Sequence, residues 1–322
     1  MYITTNGIVV NDKNQILLIR RNDSRTVAPP GGGMDLGELP PEGAAREVFE
    51  ETGITVKTQK LAAVYYWPNE PYPFLTFSFL CEPLHGELRT SNESPQVGYY
   101  NIQRLPLLLL PFHRHRVKTG LKQRHTAVPY WGVQHMTFYE DLGKRFLGSV
   151  VYPYWRWQAR RRNIDMTNYG FVKWKTGAFC IIQNKDGAVL WVKRTDYDAW
   201  NLPGGGGLEM EPPWETAVRE TQEETGQSVN LTNLAGIYLY RDKNHAIFVF
   251  TAEIQSGSLT TGPEAADFAY LKPNEEFPNC IPQHLERVAD AIKTPNETTF
   301  RFQSSLVKLA GKKREDRREK RS

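Results

Sequence analysis

Cysteine is scarce: only Cys81, Cys180 and Cys280 occur among 322 residues, with no CxxC spacing between them. That argues against a disulfide framework or a cysteine zinc site and mildly favours a reducing, cytoplasmic setting. Long apolar runs are missing too. The greasiest stretch, residues 107–110, is bracketed by Pro106 and Pro111 and falls far short of the roughly 20 residues needed to cross a bilayer. The chain opens on a strand-like alternation instead of a basic segment followed by an apolar one, so no signal peptide and no membrane partner are expected. Neither charge sign dominates, with 40 Lys and Arg against 36 Asp and Glu. A hydrophobic fraction of 40% with 24% charged residues excludes a disordered chain and indicates a soluble globular one. At roughly 100–200 residues per domain the length suggests two domains.

The net charge of +4 is unevenly placed. Residues 311–322 alone carry +4 and residues 118–175 carry +8, which leaves about −8 for the remainder. The folded bulk is therefore acidic, unlike a uniformly basic nucleic-acid binder.

What the chain does contain is a repeat. Residues 7–19 read as strand, polar turn and strand, and residues 180–192 repeat them at an offset of 173. At the same offset Pro30-Gly31-Gly32 becomes Pro203-Gly204-Gly205, and Arg46-Glu47 becomes Arg219-Glu220. Later the offset is 171, where Pro111-Phe112-His113 matches Pro282-Gln283-His284. Each copy reads as a hairpin, a glycine-rich loop, a helix of about 12 residues stopped by a glycine, further strands and a closing helix. This order predicts an α/β unit whose helices cover a mixed sheet. The expected domains are 1–120 and 171–300, joined by an aromatic and basic linker at 121–170 and followed by a basic, disordered tail at 301–322.

The chemistry concentrates in residues 32–54. Pro41 suits a first helical turn and Gly53 a left-handed stop. Between them Glu47, Glu50 and Glu51 stand at i, i+3 and i+4, on one helical face. Like charges so placed repel by tenths of a kcal/mol per pair, whereas a divalent cation with hard oxygen ligands, Mg²⁺ or Mn²⁺, would turn that repulsion into attraction. Arg46, four residues before Glu50, can orient that carboxylate. Ala44, Ala45 and Val48 supply an apolar face, and Pro29 to Gly33 would let backbone approach a ligand closely.

This segment resembles the Nudix box, G-x5-E-x7-R-E-U-x-E-E-x-G-U with U a bulky aliphatic residue. Gly32, Glu38, Arg46, Glu47, Val48, Glu50, Glu51, Gly53 and Ile54 fill every position. The second copy fits with Gly205, Glu211, Arg219, Glu220, Glu223, Glu224 and Gly226, but has Thr221 and Gln227 at the aliphatic positions. The resemblance implies two tandem Nudix-type α/β/α sandwich domains and metal-dependent hydrolysis of a nucleoside diphosphate linked to some group X. It implies metal ligation by Gly32, Glu47, Glu50 and Glu51, and by Gly205, Glu220, Glu223 and Glu224. It also implies catalytic roles for Arg46, Glu50 and the loop glutamate Glu93, and for Arg219, Glu223 and Glu264. The expected partner is a nucleotide-type small molecule, ADP-ribose-like first and nucleoside triphosphates second. Pro68, 14 residues past the box, lies close to a proline of ADP-ribose-cleaving relatives, and Tyr72 lies near a tyrosine of diadenosine-polyphosphate relatives. The alternative is a Nudix-fold module that senses nucleotide or binds RNA without turnover.

Several residues fall outside the box. Arg20, Arg21, Arg25, Lys193 and Arg194 are candidate phosphate donors. His113 and His284 read as surface or capping residues of a terminal helix, and Trp67 and Trp200 as packing residues. The stretch 118–175 holds twelve aromatics, among them Trp131, Trp155, Trp157 and Trp174. Disordered segments are poor in aromatics, so this linker is expected to be ordered and buried between the domains or in a homodimer contact. Nucleic-acid binding is the less favoured reading. Burying Val48 and Ile54 contributes roughly 1.5–3 kcal/mol each, so copy two, with Thr221 and Gln227, is expected to be the less stable half.

Overall fold

The computed structural model describes residues 1–68, 73–134, 172–196, 198–240, 242–273, 275 and 279–304. The first unit runs β1 (Tyr2–Val9), β2 (Gln15–Arg20), β3 (Val27–Ala28), β4 (Gly31–Gly33), α1 (Pro40–Thr52), β5 (Ile54–Trp67), β6 (Phe74–Gly86), β7 (Gln96–Asn101), α2 (Pro111–Lys122) and β8 (Tyr130–Val133). The second repeats it as β9 (Lys175–Ile182), β10 (Val189–Arg194), β11 (Trp200–Asn201), β12 (Gly204–Gly206), α3 (Pro213–Thr225), β13 (Gln227–Tyr240), β14 (His245–Gly257), β15 (Ala265–Leu271), α4 (Pro282–Lys293) and β16 (Thr299–Gln303).

Each unit has one mixed five-stranded sheet, β4-β1-β6-β5-β8 and β12-β9-β14-β13-β16, beside a three-stranded sheet, β3-β2-β7 and β11-β10-β15. Helices cover both faces of the five-stranded sheet. In unit one, Ala44 and Val48 of α1 pack in one cluster with Val9 and Leu17. Val117, on α2, packs in another with Ile8, Ile16 and Leu18. Neighbouring residues of β1 and β2 thus point to opposite faces, as strand geometry requires. Together these layers form the expected α/β/α sandwich, twice.

The two units share a core. The box helix covers only part of its sheet face, and the rest packs against the other unit. Phe77 of β6 stacks on Phe248 of β14 at 6.1 Å between ring centroids; these two residues are 171 apart and so equivalent in the repeat. On either side, Trp131 meets Phe250 at 5.7 Å and Phe79 meets Phe300 at 5.5 Å. Each of these pairs is the other seen from the opposite unit, so the units are related by a pseudo-twofold axis through Phe77 and Phe248. Trp174 is 3% exposed and belongs to the same cluster.

Three expectations change. The glycine-rich loop is a short strand in both copies: Gly32 pairs antiparallel with Thr5 and Gly205 with Ala178. The first unit does not stop at 120. Helix α2 runs to Lys122, and β8, inside the expected linker, adds to the sheet parallel to β5. Likewise β16 crosses 300 to join β13. The rest of the linker from residue 135, with Trp155 and Trp157, and the tail from residue 305 lie outside the described residues.

Candidate active site

Both box helices begin on proline and end on a left-handed glycine, Gly53 at φ 76° and Gly226 at φ 74°. A side chain at Gly53 would also run into the Glu87 carbonyl. These stops turn the chain at once into β5 and β13, and so fix which helical face meets the glycine strand.

That face carries the carboxylates. Glu51 is 6% exposed; one of its oxygens accepts from the Gly31 backbone N–H at 2.7 Å and the other from the Ser94 hydroxyl at 3.1 Å. Glu47, 9% exposed, lies against Gly32, where a Cβ would come within 2.7 Å of both carboxylate oxygens. Glycine alone lets backbone and carboxylate come so close. Burial pushes both carboxyls up to about 7, in Glu47 against the lowering pull of Arg46. Glu50 is exposed on the same face. Unit two repeats this: Glu224 accepts from Gly204 N–H at 2.8 Å and is pushed by burial up to about 7, and Glu220, also raised by burial, crowds the place of a Gly205 Cβ.

One arginine holds each set. Arg46 donates to Glu38 through Nε at 3.0 Å and Nη2 at 2.8 Å, to Glu47 and Glu50 through Nη1 at 2.9 and 3.0 Å, and to the Gly33 carbonyl at 2.9 Å. Arg219 makes the same contacts with Glu211, Glu220, Glu223 and Gly206, the Glu211 pair at 2.7 and 2.9 Å. The Arg219 fork holds the Glu211 carboxyl down at about 2. A forked guanidinium suits this task because its donors are rigidly spaced. The expected Arg46–Glu50 pair is thus one contact of a wider clamp, in which Glu38 is the strongest partner. Glu93 and Glu264 are exposed, yet near enough that their charge raises Glu47 and Glu220 respectively.

No three Asp, Glu, His or Cys side chains form a ready-made metal cluster among the described residues. The donor chemistry nevertheless fits a hard divalent cation: oxygen-only ligands, with Glu47 and Glu51 buried beside glycine backbone in unit one, and Glu50 and Glu223 at the surface, each held by its clamp arginine.

Other candidates are placed elsewhere. Arg21 and Arg194 each fork onto a nearby aspartate, Asp23 and Asp196; Arg20 donates to Gln96, and Lys193 faces Asp198 at 3.5 Å. Trp200 is buried and Trp67 lies edge-on to Phe112, so both are packing residues. His284 is not the surface residue expected. It is 5% exposed, its Nδ1 accepts from Leu202 N–H at 3.1 Å, and burial beside Arg287 holds it well below the usual histidine range. It therefore acts as a neutral acceptor in the core. Pro68 ends β5 on the surface, while Tyr72 lies outside the described residues. Ser94 has no counterpart in the sequence reading. The only signal for it was the serine following Glu93, against Ala265 following Glu264.

The NUDIX domain profile matches residues 2–119 and 173–291, most of the chain. The chain belongs to the NUDIX family. It is 41% identical to a MutT-like protein of Streptomyces ambofaciens over 97 residues, 30% of this chain and 62% of that protein. It is 39% identical to a putative 8-oxo-dGTP diphosphatase of Bacillus subtilis strain 168 over 118 residues, 35% of this chain and 77% of that one. It is 32% identical to an ADP-ribose pyrophosphatase of Methanocaldococcus jannaschii over 111 residues, 33% of this chain and 65% of that one. The alignments thus span about two thirds of the relatives' length and roughly one NUDIX unit of this chain.

Proposed function

We propose that this chain is a divalent-metal-dependent pyrophosphohydrolase of nucleoside diphosphates linked to a further group, with one site in each unit. The observation that carries the reading is the buried pair Glu47 and Glu51 on one helix face beside glycine backbone, repeated in unit two by the half-buried Glu220 and the buried Glu224. Burial of two neighbouring carboxylates is costly in a structure that needs only stability. At a site for a cation it is the required chemistry.

In this reading Glu47, Glu50 and Glu51 hold Mg²⁺ or Mn²⁺ in unit one, with Glu220, Glu223 and Glu224 doing so in unit two. The cation supplies charge neutralisation at the pyrophosphate and a lowered pKa for bound water. The chain's own residues do the rest. Arg46 holds Glu47 and Glu50 in register through its fork. Glu93, on the loop ahead of β7, accepts the proton of the attacking water. The water oxygen bonds to phosphorus while the bridging P–O bond breaks, and the bridging oxygen leaves with the second phosphate. ADP-ribose-like substrates come first, on Pro68 and the ADP-ribose pyrophosphatase relative, and nucleoside triphosphates second, on the 8-oxo-dGTP diphosphatase relative.

Chromatographic detection of the nucleoside monophosphate formed from each member of a nucleotide panel with Mg²⁺ tests this, using the full chain and the Glu51→Gln/Glu224→Gln double variant. Hydrolysis of a diphosphate-linked nucleoside that the double variant loses supports the reading. Tight nucleotide binding with no hydrolysis would replace it with the sensing module.

A further inference from the structure

The buried carboxylates Glu51 and Glu224 keep the same glycine contact in both units but differ at their other oxygen. In unit one, Ser94 is fully buried and its hydroxyl donates to Glu51 Oε1 at 3.1 Å, while Gly31 N–H engages Oε2. Both oxygens of Glu51 are therefore held. Ser94 also closes the turn that carries Glu93: Ser91 N–H donates to the Ser94 carbonyl at 3.1 Å, and Ser94 N–H to the Ser91 hydroxyl at 3.0 Å. Asn22 N–H anchors the Glu93 carbonyl at 2.8 Å. Ser94 thus links the loop of Glu93 to the box helix through one hydroxyl.

Unit two builds the same turn without the link. Gly262 N–H donates to the Ala265 carbonyl at 3.0 Å, the counterpart of the Ser91–Ser94 bond, and Thr195 N–H donates to the Glu264 carbonyl at 3.3 Å. Alanine stands where serine stood. Glu224 keeps its Gly204 contact at Oε2, and no described residue donates to its other oxygen.

We propose that Ser94 is a positioning residue that holds Glu51, and with it the Glu93 loop, in the cation-binding arrangement, so that the unit-one site binds its divalent cation more tightly than the unit-two site. The inference rests on the proposed function for the cation itself and goes beyond it in ranking the two sites. A hydrogen bond from behind a ligating carboxylate fixes its orientation before the ion arrives, and losing such a partner typically weakens metal affinity roughly 10–100-fold. In unit two Glu224 pivots about its single contact and must be ordered by the ion.

The test is Mn²⁺ titration of the full-length chain, followed by electron paramagnetic resonance. Glu51→Gln and Glu224→Gln assign the two classes of site. The expected result is that Ser94→Ala weakens the class removed by Glu51→Gln roughly ten-fold while the metal-free melting curve is retained, and that Ser94→Thr restores it. Ala265→Ser should tighten the other class. Unchanged Mn²⁺ affinity in Ser94→Ala, or absence of any class removed by Glu51→Gln, would overturn the proposal. Hydrolysis is read in parallel. Intact metal-dependent hydrolysis with an unresponsive Mn²⁺ affinity defeats only this inference; a responsive affinity without hydrolysis defeats only the enzymatic reading.

Discussion

The carboxyls of Glu47, Glu51 and Glu224 sit at about 7 in the folded chain against an ordinary 4.5. A raised carboxyl pKa means that, between those values, the folded state keeps protons which the unfolded state has released. Their contribution to stability is therefore complete below about pH 4.5 and is lost as pH rises toward and past 7. Thermal melts in chelator should show this metal-free decline between pH 5 and 8, and Glu51→Gln should flatten it. Because ligands must be deprotonated to bind metal, the rise in melting temperature produced by Mg²⁺ should grow from pH 6 to pH 8. A Mg²⁺ shift independent of pH would contradict the assignment. In a Glu224→Gln background, where only unit one is active, Glu51→Gln should lower turnover by at least about 10²-fold with the fold retained.

At the scale of the element, the box helix is seated by its apolar face and aimed by its arginine. Val48 and Thr221 occupy equivalent, fully buried places, but the Thr221 hydroxyl is buried with no oxygen or nitrogen partner. Thr221→Val should therefore raise the unfolding free energy by about 1 kcal/mol in urea titration, where Val48→Thr should lower it by at least as much. Arg46→Lys keeps the charge and loses the fork, which serves four partners. Unit-one turnover should drop by ten-fold or more, with a smaller change in the melting curve. The helices, their proline starts, glycine stops and carboxylate spacing were legible in the sequence because they depend on residues a few positions apart. His284 was misread because part of what buries it, Leu202 and Phe179, lies far away in the chain, with only Arg287 coming from its own helix. The Ser94 contact was invisible for the same reason: 43 residues separate it from Glu51.

Across the whole molecule, the aromatic stack between the units was equally hidden, since Phe77 and Phe248 look in sequence like any buried strand residues. Their packing means that the halves are not independent domains with private cores. Phe77→Ala should cost about 3–5 kcal/mol, and so should Phe248→Ala. Because the rings touch, the double variant should cost clearly less than the sum of the two, as a double-mutant cycle in denaturant would measure. Strict additivity would mean that the rings do not act together. It follows too that halves produced separately would expose Phe77, Phe79, Phe248 and Phe250, so the two sites are best compared within the full chain.

The pseudo-twofold axis through Phe77 and Phe248 has a consequence for how such a molecule can change. In a dimer of identical chains, every substitution is made twice, and one that suits one site must be tolerated at the other. Here the two halves are written separately in one chain, so Ser94 can stand where the other half has Ala265, and Val48 where it has Thr221, without either half imposing its choice on the other. The covalent link leaves the interface nearly symmetric while releasing the sites from symmetry, and the two can drift toward different ions, substrates or rates within one folded body.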